Sequence, residues 1–102
     1  MREIMEVSKY IRKELKRAGE YAHEANKHKT ECPELANQYY RAANEHLTIV
    51  DDLHGGAVKL IEASKRSGAM PTEAMKRMWE LEHEMLIEEK AEIVRMLDMY
   101  KT

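Results

Sequence analysis

The sequence predicts an all-α protein in which three long antiparallel helices form a bundle. Three observations lead to this fold class: apolar residues recur at helical spacing, no segment alternates with period two, and only two short segments interrupt the helical pattern. Each predicted helix is about 40–50 Å long at ~1.5 Å per residue. A chain of 102 residues has room for one domain, which we assign to residues 1–102.

The first helix is predicted over about residues 2–29 and carries a narrow apolar stripe rich in alanine. The second is predicted over residues 33–66, since Pro33 suits a first helical turn. Its apolar arc covers nearly half of the circumference, which predicts contact with two neighbours. Gly55 and Gly56 interrupt this helix and suggest close packing, a bend or access for a ligand.

The third helix is predicted over about residues 72–100. Gly68 suits the left-handed position that ends a helix, and Thr72 or Met70 begins the next one. A three-helix core of this size is marginally stable by itself. We therefore expect a homo-oligomer, a dimer or larger, to complete the bundle.

Six of the eight methionines lie within residues 70–99, on or just before the third helix, which also carries Trp79 and Tyr100. Such residues either fill an irregular core or form an adaptable contact surface for another protein. The sequence leaves both interpretations open. The candidate interface residues are Met75, Met78, Trp79, Met85, Met96 and Tyr100.

Composition disfavours several classes of function. The 17 basic and 19 acidic residues give a net charge of −2, so no nucleic-acid partner is expected. No apolar run approaches the ~20 residues that cross a bilayer, so no membrane association is expected. The single cysteine, Cys32, indicates a reducing compartment, and we expect a cytoplasmic protein. Neither a phosphate-binding glycine loop nor a nucleophile triad is found, so no catalytic residue is assigned.

Ionisable residues occupy positions where a helical bundle ordinarily has apolar ones. His46 lies within the apolar arc of the second helix, and Glu82 and Glu89 lie within the stripe of the third. Counting outward from the two turns places His46 level with Glu14 and Glu89, and His54 level with Glu82. A buried charge requires a partner. The sequence therefore predicts a buried polar network that fixes helix register, formed by Glu14, His46, His54, Glu82 and Glu89.

Two carboxylate-x-x-histidine pairs support a different interpretation. Asp51-x-x-His54 and Glu80-x-x-His83 each place a carboxylate and an imidazole on one face of a helix. These ligand types bind Fe, Mn or Zn, and di-metal helical bundles use two such pairs on facing helices. The two pairs share a height along the bundle. Whether they face one another depends on the hand of the bundle, which the periodicity leaves open.

The chain also resembles the ferritin-like and rubrerythrin-like helical superfamily, over residues 35–54 and 75–97. The matching elements are Leu35-Ala36, Tyr39-Tyr40, Asp51-x-x-His54 and Glu80-x-x-His83. The resemblance implies that Asp51, His54, Glu80 and His83 are metal ligands, with Glu14 or Glu82 as further carboxylates. This chain departs from the family in having three helices and Asp at position 51. A dimer of helix 2–helix 3 hairpins restores four helices.

Two functional hypotheses follow. The first is a small oligomeric helical interaction protein, acting as a structural subunit, adaptor or inhibitor, with no enzymatic activity and no required cofactor. The second is a ferritin-like bundle that binds Fe, Mn or Zn through Asp51-x-x-His54 and Glu80-x-x-His83.

Overall fold

The computed structural model describes residues 2–68 and 71–102, and all regular structure within these ranges is helical. α1 spans Arg2–His28, α2 spans Pro33–Arg66 and α3 spans Glu73–Lys101. The predicted all-α class is confirmed, and every helix end lies within one residue of its predicted position. None of the described helices combines the length and apolar character needed to cross a membrane.

Local sequence signals account for the helix ends. Pro33 occupies the first turn of α2, where a missing backbone N–H costs nothing. Gly68 adopts a φ of 82° after α2, a conformation that glycine tolerates best. The side chain of Thr72 accepts a hydrogen bond from the backbone N–H of Met75 at 3.2 Å and so caps α3. Met70, the other predicted start of α3, lies outside the described residues.

Small residues on α1 allow both other helices to pack closely against it. Ala18, Ala22 and Ala25 are fully buried, and a Cβ placed on Gly19 would lie 3.7 Å from Cγ1 of Ile93 on α3. α1 therefore packs against α2 and α3, whereas α2 and α3 approach each other much less. The wide apolar arc of α2 is consequently only partly covered within this chain.

The resulting molecule is long and thin, with principal extents of 56 × 18 × 17 Å. One continuous cluster forms the centre of the core, with α1, α2 and α3 each contributing to it. Its members are Ile11, Leu15, Ala18, Ala22, Ala43, Leu47, Val50, Leu86, Ile93 and Leu97. Three of these ten residues are alanines, which keeps the core narrow.

Candidate functional site

A column of four stacked rings joins α1 to α2. Tyr21 lies between His46 and Tyr39, with ring centroids 5.2 and 5.9 Å away, and Tyr39 stacks in turn on His28 at 5.9 Å. The rings come alternately from the two helices. We call these four residues the ring column, and its alternation holds the two helices at one relative height.

A carboxylate lies at each end of the ring column. Glu14 is hydrogen-bonded to Nδ1 of His46, and both side chains are half-buried. At the other end, Glu24 lies 3.1 Å from Nε2 of His28. The column thus extends the Glu14–His46 pair into a longer polar line. In the sequence this line appears as a seven-residue spacing. Residues 14, 21 and 28 on α1 are seven apart, and so are residues 39 and 46 on α2.

The other members of the predicted polar network are arranged differently from expectation. Glu82 is half-buried but forms its ion pair with Arg12 of α1, at 3.3 Å, and not with His54. His54 stacks instead on His83 of α3, with centroids 5.4 Å apart. Glu82 is therefore paired with α1 and not with α2.

The expected burial of Glu89 is wrong, because this residue is exposed to solvent. The buried residues of α3 are Leu86, Ile93 and Leu97, which form a narrow line. Glu89 lies at one flank of that line, and a long charged side chain there extends into water. The other helices cover only a narrow side of α3, which explains why Glu89 is exposed and not buried as expected.

The predicted metal ligands are only partly brought together. His54, Glu80 and His83 line one pocket, but Asp51 accepts a hydrogen bond from Nζ of Lys90 at 2.6 Å. Glu14 is bonded to His46 on the α1–α2 side. Among the described residues, no group of three or more His, Cys, Asp or Glu has an arrangement that could hold a metal ion. The six-ligand set implied by the ferritin-like resemblance is thus not assembled within residues 2–68 and 71–102.

The candidate interface residues on α3 are largely engaged within the chain. Met96 packs against the core, Tyr100 stacks on Tyr40 of α2 with centroids 4.7 Å apart, and Trp79 lines a pocket. Met75 and Met78 are half-buried, and Met85 is exposed. These residues mostly complete the packing around α3 rather than form an open contact surface.

A line of apolar residues on one side of α2 is partly exposed to solvent. We call this line the α2 seam; it consists of Leu35, Ala42, Ile49, Leu53 and Leu60. Leu35, Ile49 and Leu60 are 38%, 40% and 39% exposed. At ~100° per residue the seam lies about a quarter turn from the buried line of α2. The wide arc seen in the sequence is the signal for this surface, because it exceeds what one neighbouring helix covers.

A pocket of about 350 Å³ opens where the first turns of α1 meet the end of α2 and the start of α3. Most of its lining is apolar, and its polar lining residues include both imidazoles of the stacked pair. It is lined by Ile4, Ser8, Ile11, His54, Ala57, Val58, Ile61, Trp79, Glu80, Glu82, His83 and Leu86. Counting along the helices puts His54 and Glu82 at one height, but the helical periodicity carries no signal for a cavity there.

Trp79 contributes an unusual polar atom to this region. Its Nε1 is buried and has no hydrogen-bond partner among the described residues. A buried donor without an acceptor costs about 1–3 kcal/mol. The packing of the described residues thus leaves this indole N–H both desolvated and unsatisfied.

Arg95 and Glu92 form an ion pair on the surface of α3, away from these features. Arg95 donates a hydrogen bond to Glu92, three residues earlier, and this bond lowers the pKa of the Glu92 carboxyl from its ordinary value of 4.5. Both groups are exposed. The pair is therefore a surface contact within one helix and belongs to none of the candidate sites.

Comparison with known proteins finds no family model, no curated protein and no solved structure that matches this chain.

Proposed function

We propose that this chain is a small oligomeric helical interaction protein, a structural subunit, adaptor or inhibitor, that associates through the α2 seam. The observation that carries the proposal is the exposure of large apolar side chains along one side of α2, at Leu35, Ile49 and Leu60. A contiguous apolar surface of this kind is typical of a protein–protein contact. In this proposal the three helices form an antiparallel bundle that oligomerisation completes.

The spacing of the seam favours another α-helix as its occupant. Leu35, Ala42 and Ile49 are seven residues apart, and so are Leu53 and Leu60, with four residues between Ile49 and Leu53. This combination of intervals is the heptad pattern by which helices pack side by side. The seam extends over about 38 Å at ~1.5 Å per residue, enough for several turns of a partner helix.

We take a second copy of this chain as the partner. The net charge of −2 imposes little repulsion between copies, and it favours a protein partner over nucleic acid. A symmetric pairing also lets each copy cover the other's seam at once. The exposed free thiol of Cys32 is consistent with function in a reducing compartment, which we propose is the cytoplasm.

Ile49→Lys tests the seam, since Ile49 is at its centre. The wild-type chain should have at least twice the monomer mass by light scattering, and Ile49→Lys should be monomeric with an unchanged helical circular dichroism spectrum. A buried lysine without a partner opposes association strongly. Ile87→Lys is the matched control, because Ile87 is exposed on α3 and lies outside the seam. It should retain the wild-type mass.

Two outcomes contradict the proposal. A monomeric wild-type chain over the micromolar range removes self-association. Dissociation by Ile87→Lys but not by Ile49→Lys assigns the contact to α3 instead of α2.

A second candidate function is metal binding, favoured by the adjacency of His54 and His83 across α2 and α3. Glu80 lies one turn before His83 and lines the same pocket, but it is paired with Arg77 at 3.3 Å. Two imidazoles and this carboxylate could therefore serve Fe, Mn or Zn only after that ion pair opens. The rings are stacked, so their nitrogens converge on an ion only after a change of rotamer. Asp51 joins the set only by releasing Lys90. The ferritin-like resemblance remains a prediction.

Elemental analysis of protein purified without chelator tests this second function. Stoichiometric Fe, Mn or Zn that is lost in His54→Ala and in His83→Ala supports it, since each variant removes one imidazole. His23→Ala is the control, because His23 is exposed on α1. Metal-free protein whose melting is unchanged by added Zn²⁺, Mn²⁺ and Fe²⁺ excludes it.

A further inference from the structure

Exposed charges border the α2 seam on the side away from the buried residues of α2. They recur every seven residues, and two acids precede two bases along the helix. None of the four forms an ion pair within residues 2–68 and 71–102. We call them the charged flank: Glu45, Asp52, Lys59 and Arg66.

We propose that two copies associate through the α2 seam with their α2 helices antiparallel, so that the acids of each charged flank pair with the bases of the other. The pairs are Asp52 with Lys59 and Glu45 with Arg66, and each forms twice. The pairing rests on the self-association proposed for the seam and adds the orientation and register of the two copies. Apolar burial drives the association, whereas the charges select the arrangement.

The symmetry of a dimer determines whether the two charged flanks meet. In an antiparallel pair the two-fold axis is perpendicular to both helices, so the flanks lie on the same side of the interface and face each other. In a parallel pair the axis runs along the helices and puts the flanks on opposite sides. Each flank would then lie beside the buried line of the other α2, formed by Ala43, Val50 and Ala57, which offers no charge.

The order of the charges along α2 selects one register. The midpoint between residues 52 and 59 is also the midpoint between residues 45 and 66, so a single axis level with about residue 55 forms all the pairs. The same axis sets Leu60 beside Ile49 of the other copy, within about one residue or ~1.5 Å of the same level. Sliding one copy by seven residues keeps the apolar spacing but brings Asp52 opposite Asp52, or Lys59 opposite Lys59 in the other direction. Those registers lose attractive pairs and gain a contact between like charges.

Two variants of the charged flank test the pairing. The basic variant, Glu45→Lys/Asp52→Lys, makes the flank entirely basic, and the acidic variant, Lys59→Glu/Arg66→Glu, makes it entirely acidic. Each variant alone should self-associate at least about tenfold more weakly than the wild type, because its antiparallel pairs all become like-charged. An equimolar mixture should recover the wild-type mass by light scattering and contain both chains in equal amounts, since every acid again faces a base.

Glu84→Lys/Glu88→Lys is the matched control for the basic variant. It makes the same change of charge at two exposed positions of α3, outside the seam and the charged flank. It should self-associate like the wild type. Circular dichroism should show the wild-type helical spectrum for all the variants, because every substituted residue is exposed.

The native cysteine measures the orientation of the two copies without any change to α2. Cys32 is the single cysteine of the chain, is exposed, and makes no capping hydrogen bond through its side chain. A nitroxide attached to it lies about 23 residues from the proposed axis, so pulsed electron paramagnetic resonance should give about 70 Å between the two labels at ~1.5 Å per residue. A parallel pair in register would place the labels side by side. A slide of seven residues would change the separation by about 10 Å.

These measurements separate the orientation from the association itself. A monomeric wild type removes both proposals. If Ile49→Lys dissociates the wild type but the basic and acidic variants each self-associate like it, the antiparallel pairing alone is wrong, and a short distance between the labels has the same consequence. Folded variants that stay monomeric when mixed also overturn the pairing. If either variant lacks the helical spectrum, the label distance in the otherwise native chain decides the orientation.

Discussion

His46 shows how a single polar side chain ties two helices of this protein together. It is hydrogen-bonded to Glu14 and stacked on Tyr21. His46→Ala should lower the free energy of unfolding by about 1–3 kcal/mol, since it removes the bond and leaves Glu14 without its partner. The loss stays below the 3–5 kcal/mol typical of a fully stranded buried charge, because both side chains are half-buried and water reaches the carboxylate.

Urea denaturation followed by circular dichroism measures this effect. His23→Ala is the matched control, because His23 is exposed on α1, and its effect should stay within about 0.5 kcal/mol. Equal stability of the two variants would show that the Glu14–His46 pair contributes nothing to folding.

At the scale of the element, replacing either of the two adjacent glycines of α2 should stabilise the folded protein. The described residues place no atom within 4 Å of a Cβ added at Gly55 or Gly56, apart from the local helix backbone and chain neighbours. The close packing suggested by the sequence is therefore not present among residues 2–68 and 71–102. Gly55→Ala and Gly56→Ala should each stabilise the fold by about 1 kcal/mol, because alanine loses less backbone entropy in a helix.

Gly68→Ala provides the opposite control, measured in the same thermal melts. Gly68 has a φ of 82°, where alanine is strained, so this variant should melt at a lower temperature. If Gly56→Ala also destabilises the protein, an atom from outside the chain packs against Gly56, which lies seven residues beyond Ile49 of the α2 seam.

At the scale of the whole molecule, the thin shape connects stability to association. A body of 56 × 18 × 17 Å has a high ratio of surface to volume, and the core cluster is rich in alanine. Burial of the α2 seam against a second copy would add apolar contact that the single chain lacks. The melting temperature of the wild type should then rise with protein concentration, as for any folded state stabilised by association. In Ile49→Lys it should not, and a wild-type melting temperature that is constant over a hundredfold dilution contradicts the association.

The sequence by itself determined the helices and their ends, because these depend on neighbouring residues. Pro33, Gly68 and Thr72 act through their own backbone and side-chain geometry. Heights along the helices also follow from counting, which is why Glu14 and His46 could be placed at one level before their bond was seen. The seven-residue spacing of the ring column was present in the sequence as well.

Only the tertiary structure decided which sides of the helices meet. Periodicity defines an apolar side for each helix but not the hand in which three helices are arranged. That arrangement places Glu82 beside Arg12, stacks His54 on His83, and leaves Glu89 in solvent. The pocket and the unpartnered Nε1 of Trp79 are also tertiary features. A cavity exists only where side chains from separate helices fail to fill the space between them.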